Sequence, residues 1–130
     1  AVVTDPPYIL KNERYNPTSE IDLSNLDVDE FMERIEYNFK QLYRLIKTSD
    51  FKKKTFYPVI TKVGTGRRGN QGIYDMDLEF QLAAKKAGFV LWDKLFNQLH
   101  SPWGAVNWER NYLNKYVQKN YEVNLVFCKF

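Results

Sequence analysis

From Val28 onward, apolar side chains recur at steps of three and four: Val28, Phe31, Met32, Ile35, Phe39, Leu42 and Ile46. Glu33, Arg34, Glu36, Lys40, Gln41 and Arg44 fill the opposite face. A strand alternates its side chains every second residue, so this spacing belongs to a helix. The pattern predicts an amphipathic helix over residues 28–47, and that helix must bury its apolar stripe against a second layer. Asp27 and Glu30 stand at capping-box spacing where it begins.

The segments around this helix supply the second layer. Residues 1–4 (AVVT) read as the end of a buried strand, and residues 55–63 (TFYPVITKV) as another. Pro58 lacks a ladder donor, which predicts a bulge or a late start for that strand. A second helix is expected over 75–87, with Met76, Phe80, Ala83 and Ala87 on its buried face and Gly88 as its stop. Residues 89–99 (FVLWDKLFNQL) then read as a largely buried strand, and 123–130 (VNLVFCKF) as the last one. The order strand, helix, strand, helix, strand, strand argues for an α/β sheet layered with helices. The first three strands are expected to run parallel. The last is expected antiparallel to its neighbour, because no crossover helix precedes it.

A length of 130 residues fits one domain, and 44% hydrophobic composition is that of a globular chain. No stretch approaches the roughly 20 apolar residues of a membrane span. A lone cysteine, Cys128, has no partner for an intramolecular disulfide, which fits a reducing compartment. The net charge of +3 permits an anionic partner without demanding one.

Most local motifs have a plain structural reading. Lys52-Lys53-Lys54 reads as a solvated turn before a strand. Gly64-Thr65-Gly66-Arg67-Arg68-Gly69 matches G-x-G-x-x-G, but a dinucleotide site needs a helix opening at the last glycine, and Asn70-Gln71-Gly72 continues the turn. Arg67 and Arg68 remain candidates for a DNA backbone. His100 is the only histidine, and no Cys, His or carboxylate cluster has metal-ligand spacing, so no metal is expected. The polar stretch 100–121 carries Trp103, Trp108, Arg110, Lys115 and Lys119; a surface connection and a DNA-facing segment are both open readings, the latter through Trp103 and Arg110.

Asp5-Pro6-Pro7-Tyr8 is more specific. Proline fixes φ and removes an N–H, and a residue before proline is held extended. The result is a stiff turn that presents acceptors only, the Asp5 carboxylate and main-chain carbonyls, beside the flat ring of Tyr8. Such a turn suits an exocyclic amine on a flat ring: the acceptors take its N–H protons while the tyrosine stacks.

Thr4-Asp5-Pro6-Pro7-Tyr8 at a strand end resembles the amino-methyltransferase motif of the S-adenosylmethionine-dependent DNA N6-adenine and N4-cytosine methyltransferases. That resemblance continues through the helix ending in Leu42-Tyr43-Arg44-Leu45-Ile46-Lys47, the strand and glycine turn from Val59 to Gly66, Ala87-Gly88-Phe89 with Val90-Leu91-Trp92-Asp93, and the closing Tyr121-Glu122-Val123-Asn124-Leu125-Val126-Phe127. It implies a partial doubly wound, Rossmann-like sheet with flanking helices and an antiparallel last strand. Residues 1–130 would then be the C-terminal-half portion of one catalytic domain. The family's Phe-x-Gly-x-Gly cofactor turn has no counterpart here, so S-adenosylmethionine is the implied cofactor with its main binding motif absent.

The resemblance assigns Asp5, Pro6, Pro7 and Tyr8 to catalysis, with Asp5 also beside the cofactor. Aspartate at the first position leans toward adenine. DNA with a flipped target base and the remainder of the methyltransferase chain are the implied partners, with no membrane, in a cytoplasmic setting of bacterial, archaeal or phage type. Restriction–modification is the implied context, and the chain is expected to be inactive by itself. A non-catalytic nucleic-acid-binding or partner-binding α/β module is the alternative. Cys128 is a poor nucleophile candidate, and methylation of an amine needs none.

Overall fold

In a computed structural model, residues 1–6, 26–63, 68–69, 72–73, 75–98 and 121–130 are described. The elements are β1 (Val2–Thr4), α1 (Val28–Leu45), β2 (Val59–Val63), β3 (Arg68–Gly69), β4 (Gly72–Ile73), α2 (Met76–Lys86), β5 (Val90–Gln98) and β6 (Tyr121–Cys128). Four strands form one mixed sheet in the order β1-β2-β6-β5. β1 and β2 pair in parallel, Val2 opposite Val59 and Thr4 opposite Thr61. β6 is antiparallel to both β2 and β5. Thus β1, β2 and β5 all run one way and the last strand runs against them, as the sequence leads one to expect. This last strand is inserted between β2 and β5, a position that strand direction alone does not dictate.

Both helices pack on one face of the sheet. Phe31, Ile35 and Phe39 of α1 and Phe80, Ala83 and Ala84 of α2 share a core with Val59 and Val63 of β2 and Val123, Leu125 and Phe127 of β6. The strand residues follow the pleat, every second one turning toward the helices. Phe39 sits at the centre. Its ring meets Phe80, Phe89 and Phe127 edge-on, at centroid distances of 6.2, 6.1 and 5.5 Å, an arrangement that adds quadrupole attraction to area burial. Glu36 ties the helices together, with Lys40 at 2.7 Å and Lys86 of α2 at 3.1 Å. Those two ammoniums hold its carboxyl below the usual range; that contribution is present above the unfolded carboxylate range and fades as pH falls through the lowered value.

Local chemistry sets the helix ends. The Asp27 carboxylate accepts from Glu30 N–H at 2.9 Å, and Asp75 accepts from Leu78 N–H at 3.3 Å, so both helices start on an aspartate cap. α2 ends in a Schellman motif: Phe89 N–H donates to Ala84 C=O and Gly88 N–H to Lys85 C=O, both at 3.0 Å. Gly88 has φ +104°, and a Cβ placed there would lie 2.9 Å from Cζ of Tyr43. Tyr43 has little room to yield, since its ring packs edge-on against Phe89 at 5.1 Å and lies under the Lys129 ammonium at 4.6 Å. Gly88→Ala is therefore expected to lose about 1–3 kcal/mol from backbone strain and displacement of Tyr43. Urea unfolding reads the loss; an unchanged midpoint would contradict it.

Two expectations about burial need correction. The sequence predicts a buried β1, yet this strand is an edge of the described sheet and Val3 is 75% exposed. It also predicts a largely buried β5, yet Val90, Leu91, Trp92, Leu95 and Phe96 are all exposed. A run of apolar residues marks a strand but not its place in the sheet, and β5 is the other edge of the described sheet, where β6 is its neighbour. Pro58 gives the late start: β2 begins one residue after it, and the proline still accepts from Val2 N–H through its carbonyl at 3.0 Å. α2 buries Ala84 with Phe80 and Ala83, while Ala87 is only partly covered. Arg68–Gly69 pairs antiparallel with Gly72–Ile73, and the helix opens only at Met76. The glycine motif therefore runs into a hairpin and lacks the helix that a dinucleotide cradle needs.

Candidate functional site

β1 is short, and its direction decides where the site lies. Parallel pairing with β2 sends the chain out at the carboxyl ends of the strands, where α/β sheets hold ligands. Asp5 and Pro6 leave there. Asp5 follows Thr4 just beyond the end of β1, and its carboxylate reaches Lys62 of β2. The Lys62 ammonium lies 3.5 Å from Oδ2 of Asp5 and 3.1 Å from Oε2 of Glu122 at the start of β6. Three strand ends thus bring two carboxylates and one ammonium together. Asp5 is the most open of the three, with its side chain 57% exposed.

On the helix side of the same strand end, a cleft of about 250 Å³ opens between the sheet and α1. Thr4, Asp5 and Pro6 form one wall, Ile35, Asn38, Phe39 and Leu42 of α1 the other, with Thr61 and Phe80 behind. The walls are mostly apolar with a few polar groups, the usual character of a small-molecule site. Thr61 is fully buried, and its hydroxyl has no hydrogen-bond partner among the described residues.

Asp5 and Pro6 are therefore brought to one turn at the cleft mouth. Pro7, Tyr8, Arg67, Trp103 and Arg110 lie outside the described residues, as does the side chain of Arg68. Lys62, Glu122 and Thr61 were not singled out by sequence reasoning. Lys62 stands in the alternating stretch Val-Ile-Thr-Lys-Val, where a charge on a strand's outward face is unremarkable until its partners are known. Cys128 is buried; loss of hydration pushes its thiol up, offset in part by the Ser49 hydroxyl, which suits packing and not nucleophilic attack. Among the described residues, no group of three or more His, Cys, Asp or Glu is placed to hold a metal ion, and no helix is long and apolar enough to cross a membrane.

A four-strand mixed sheet with two helices on one face and a cleft at its carboxyl end defines an α/β fold that matches part of a methyltransferase structure. Structures that this chain matches include three of TTHA0409, a candidate DNA modification methylase from Thermus thermophilus. Its selenomethionine derivative superimposes with a TM-score of 0.63 at 17% identity, over 98% of this chain and 43% of that one. A second crystal structure of it gives 0.61 at 16% identity, and its complex with S-adenosyl-L-methionine gives 0.58 at 18%, each over 98% of this chain and 44% of that one. The chain thus spans less than half the length of that protein. No protein-family model and no curated protein matches the sequence.

Proposed function

We propose that these residues are the target-binding half of a DNA methyltransferase that moves a methyl group from S-adenosylmethionine to the N6 amine of adenine. The observation that carries this reading is the exit of Asp5-Pro6 from the carboxyl end of β1, beside a cleft, in a fold that superimposes on part of a candidate methylase structure.

The amine of adenine is a poor nucleophile because its lone pair is delocalised into the ring. An acceptor on each N–H draws the nitrogen toward a pyramidal form with a localised lone pair. Asp5 supplies one acceptor and the Pro6 carbonyl the other; proline's fixed φ holds them in place before the base arrives. Lys62 approaches Oδ2 of Asp5, and Oδ1 is assigned to the amine. The Asp5 and Glu122 carboxylates outnumber the Lys62 ammonium, so the strand end keeps a net negative charge toward a cationic methyl donor. When bound, the cofactor supplies an electrophilic methyl group. The base must leave the duplex to be reached, and Tyr8 is assigned to stack on it.

The remainder of the catalytic domain is the expected partner, because the family's cofactor turn is absent here. Titration calorimetry is accordingly expected to find weak or no binding of S-adenosylmethionine to the 130-residue chain; low-micromolar binding would refute that expectation. The function itself is tested by assembling these residues with a cofactor-binding half, incubating with duplex DNA and analysing the digested nucleosides by mass. N6-methyladenine supports the proposal, N4-methylcytosine changes the base but keeps the class, and no methylated base removes it.

A further inference from the structure

The end of the sheet opposite Asp5 carries a different surface. Phe51 and Phe56 precede β2, Trp92 lies near the start of β5, and Phe130 follows the end of the antiparallel β6, so all four come to the amino end of the parallel strands. Phe51 packs against Trp92 at 4.9 Å, Phe130 at 5.4 Å and Phe56 at 6.1 Å, the last pair nearly parallel at 27°. Trp92 also meets Phe130 at 5.7 Å. Yet each ring stays 44–50% exposed. Large aromatics normally withdraw from water, and an open cluster of them marks a contact surface. The register of β5 against β6 slips between Leu91 and Asp93, so Trp92 is the unpaired residue of a bulge, a device that re-aims a side chain.

Beside the rings stands the lysine turn. Asp50 and Thr55 bridge its base, with main-chain hydrogen bonds of 3.0 and 2.9 Å. Oδ1 of Asp50 accepts from the N–H groups of Lys52 and Lys53, and Lys54 N–H donates to Phe51 C=O at 3.1 Å. The turn is therefore fixed, and it presents three exposed ammoniums next to Phe51. Lys53 has Asp50 at 3.6 Å; Lys52 and Lys54 have no carboxylate partner among the described residues. Among the described residues, Lys54 is also the non-glycine residue with positive φ, +54°. Asparagine or glycine would occupy that position with less strain, so the chain accepts strain to keep a cation there.

We infer that this surface binds single-stranded nucleic acid, stacking unpaired bases on Phe51, Phe56, Trp92 and Phe130 while Lys52, Lys53 and Lys54 meet the phosphates. Every base has a π-face, and ring stacking combined with backbone cations is how sequence-tolerant single-strand binding works. A duplex hides its base faces. An apolar protein partner would have to cover ammoniums that lack counter-charges. The inference does not depend on the methyltransferase reading, because the rings and the Asp5 turn lie at opposite ends of the sheet.

Fluorescence anisotropy of a labelled mixed-sequence DNA strand of about 12 nucleotides, within the site-size range of single-strand binders, tests it when titrated with the full chain at several salt concentrations. Affinity should fall with salt and exceed that for the same sequence as a duplex. Phe51→Ala with Trp92→Ala should weaken binding about tenfold or more. Because that pair of changes also removes packing, a charge variant stands beside it: Lys52→Gln, Lys53→Gln and Lys54→Asn. It should lower the log–log salt slope by about 2, while asparagine at position 54 leaves the thermal midpoint unchanged or raised. Ring and charge variants that bind like the parent would overturn the inference, as would equal duplex binding or no binding at low salt. So would self-association that depends on the rings with no affinity for the strand, since the rings would then be a dimer surface.

Discussion

Asp5→Ala is expected to lower the single-turnover rate of DNA methylation by about two to three orders of magnitude in the assembled enzyme, the scale of losing one preorganised electrostatic partner at a reacting centre. In the proposed reaction the carboxylate would accept from the target amine in the ground state, and more strongly as positive charge builds on the nitrogen during transfer. An interaction that strengthens in the transition state shows up in rate more than in affinity. Cofactor affinity should therefore change much less than the rate. The substitution should not unfold the chain. The Asp5 side chain is 57% exposed, its ion pair with Lys62 spans 3.5 Å, and Lys62 keeps Glu122 at 3.1 Å; exposed pairs of this kind are worth about 0–1 kcal/mol. Mass analysis of N6-methyladenine and a thermal melt on the same variant separate chemistry from folding. A parent-like rate would take the motif out of the chemistry and put the non-catalytic binding module in its place.

The features that could be read from the sequence are those whose partners are close in the chain. Asp27 caps a residue three positions on, Asp75 does the same, and Gly88 closes a helix end through atoms between Ala84 and Phe89. Each is a short-range solution to an unpaired backbone group, and each left its mark in the sequence. Pro58 delays β2 for an equally local reason. What escaped was set by distant pairing. β6 lies between β2 and β5 because residues 121–128 pair with strands on both sides, and that insertion leaves β5 at an edge with its apolar side chains in water. The site divides the same way. Asp5 and Pro6 announce a stiff acceptor turn by themselves. Lys62 and Glu122 join Asp5 only once β1, β2 and β6 are side by side, and nothing near either residue foretells it.

The same division between local and distant packing identifies the side chain on which the fold most depends. Phe39 is 4% exposed, and its ring meets α2 through Phe80, the start of β5 through Phe89 and the central strand through Phe127. Phe39→Ala would remove contacts to three separate elements and leave a space that α1 cannot close without moving away from the sheet. The expected loss is about 3–5 kcal/mol, a large part of the roughly 5–15 kcal/mol that holds a domain folded. Phe39 also lines the cleft beside Asp5 and Pro6, so the cleft should open or collapse along with the core. Phe51→Ala deletes the same side chain from a ring that is 50% exposed, and much of its surface is already in water. Its loss should stay below about half that of Phe39→Ala, since less area returns to solvent and no enclosed cavity forms. Urea unfolding of the two variants, followed by far-ultraviolet circular dichroism, gives the comparison directly. Near-equal losses, or a Phe39→Ala loss under about 1 kcal/mol, would mean that the aromatic centre does not hold the helices to the sheet.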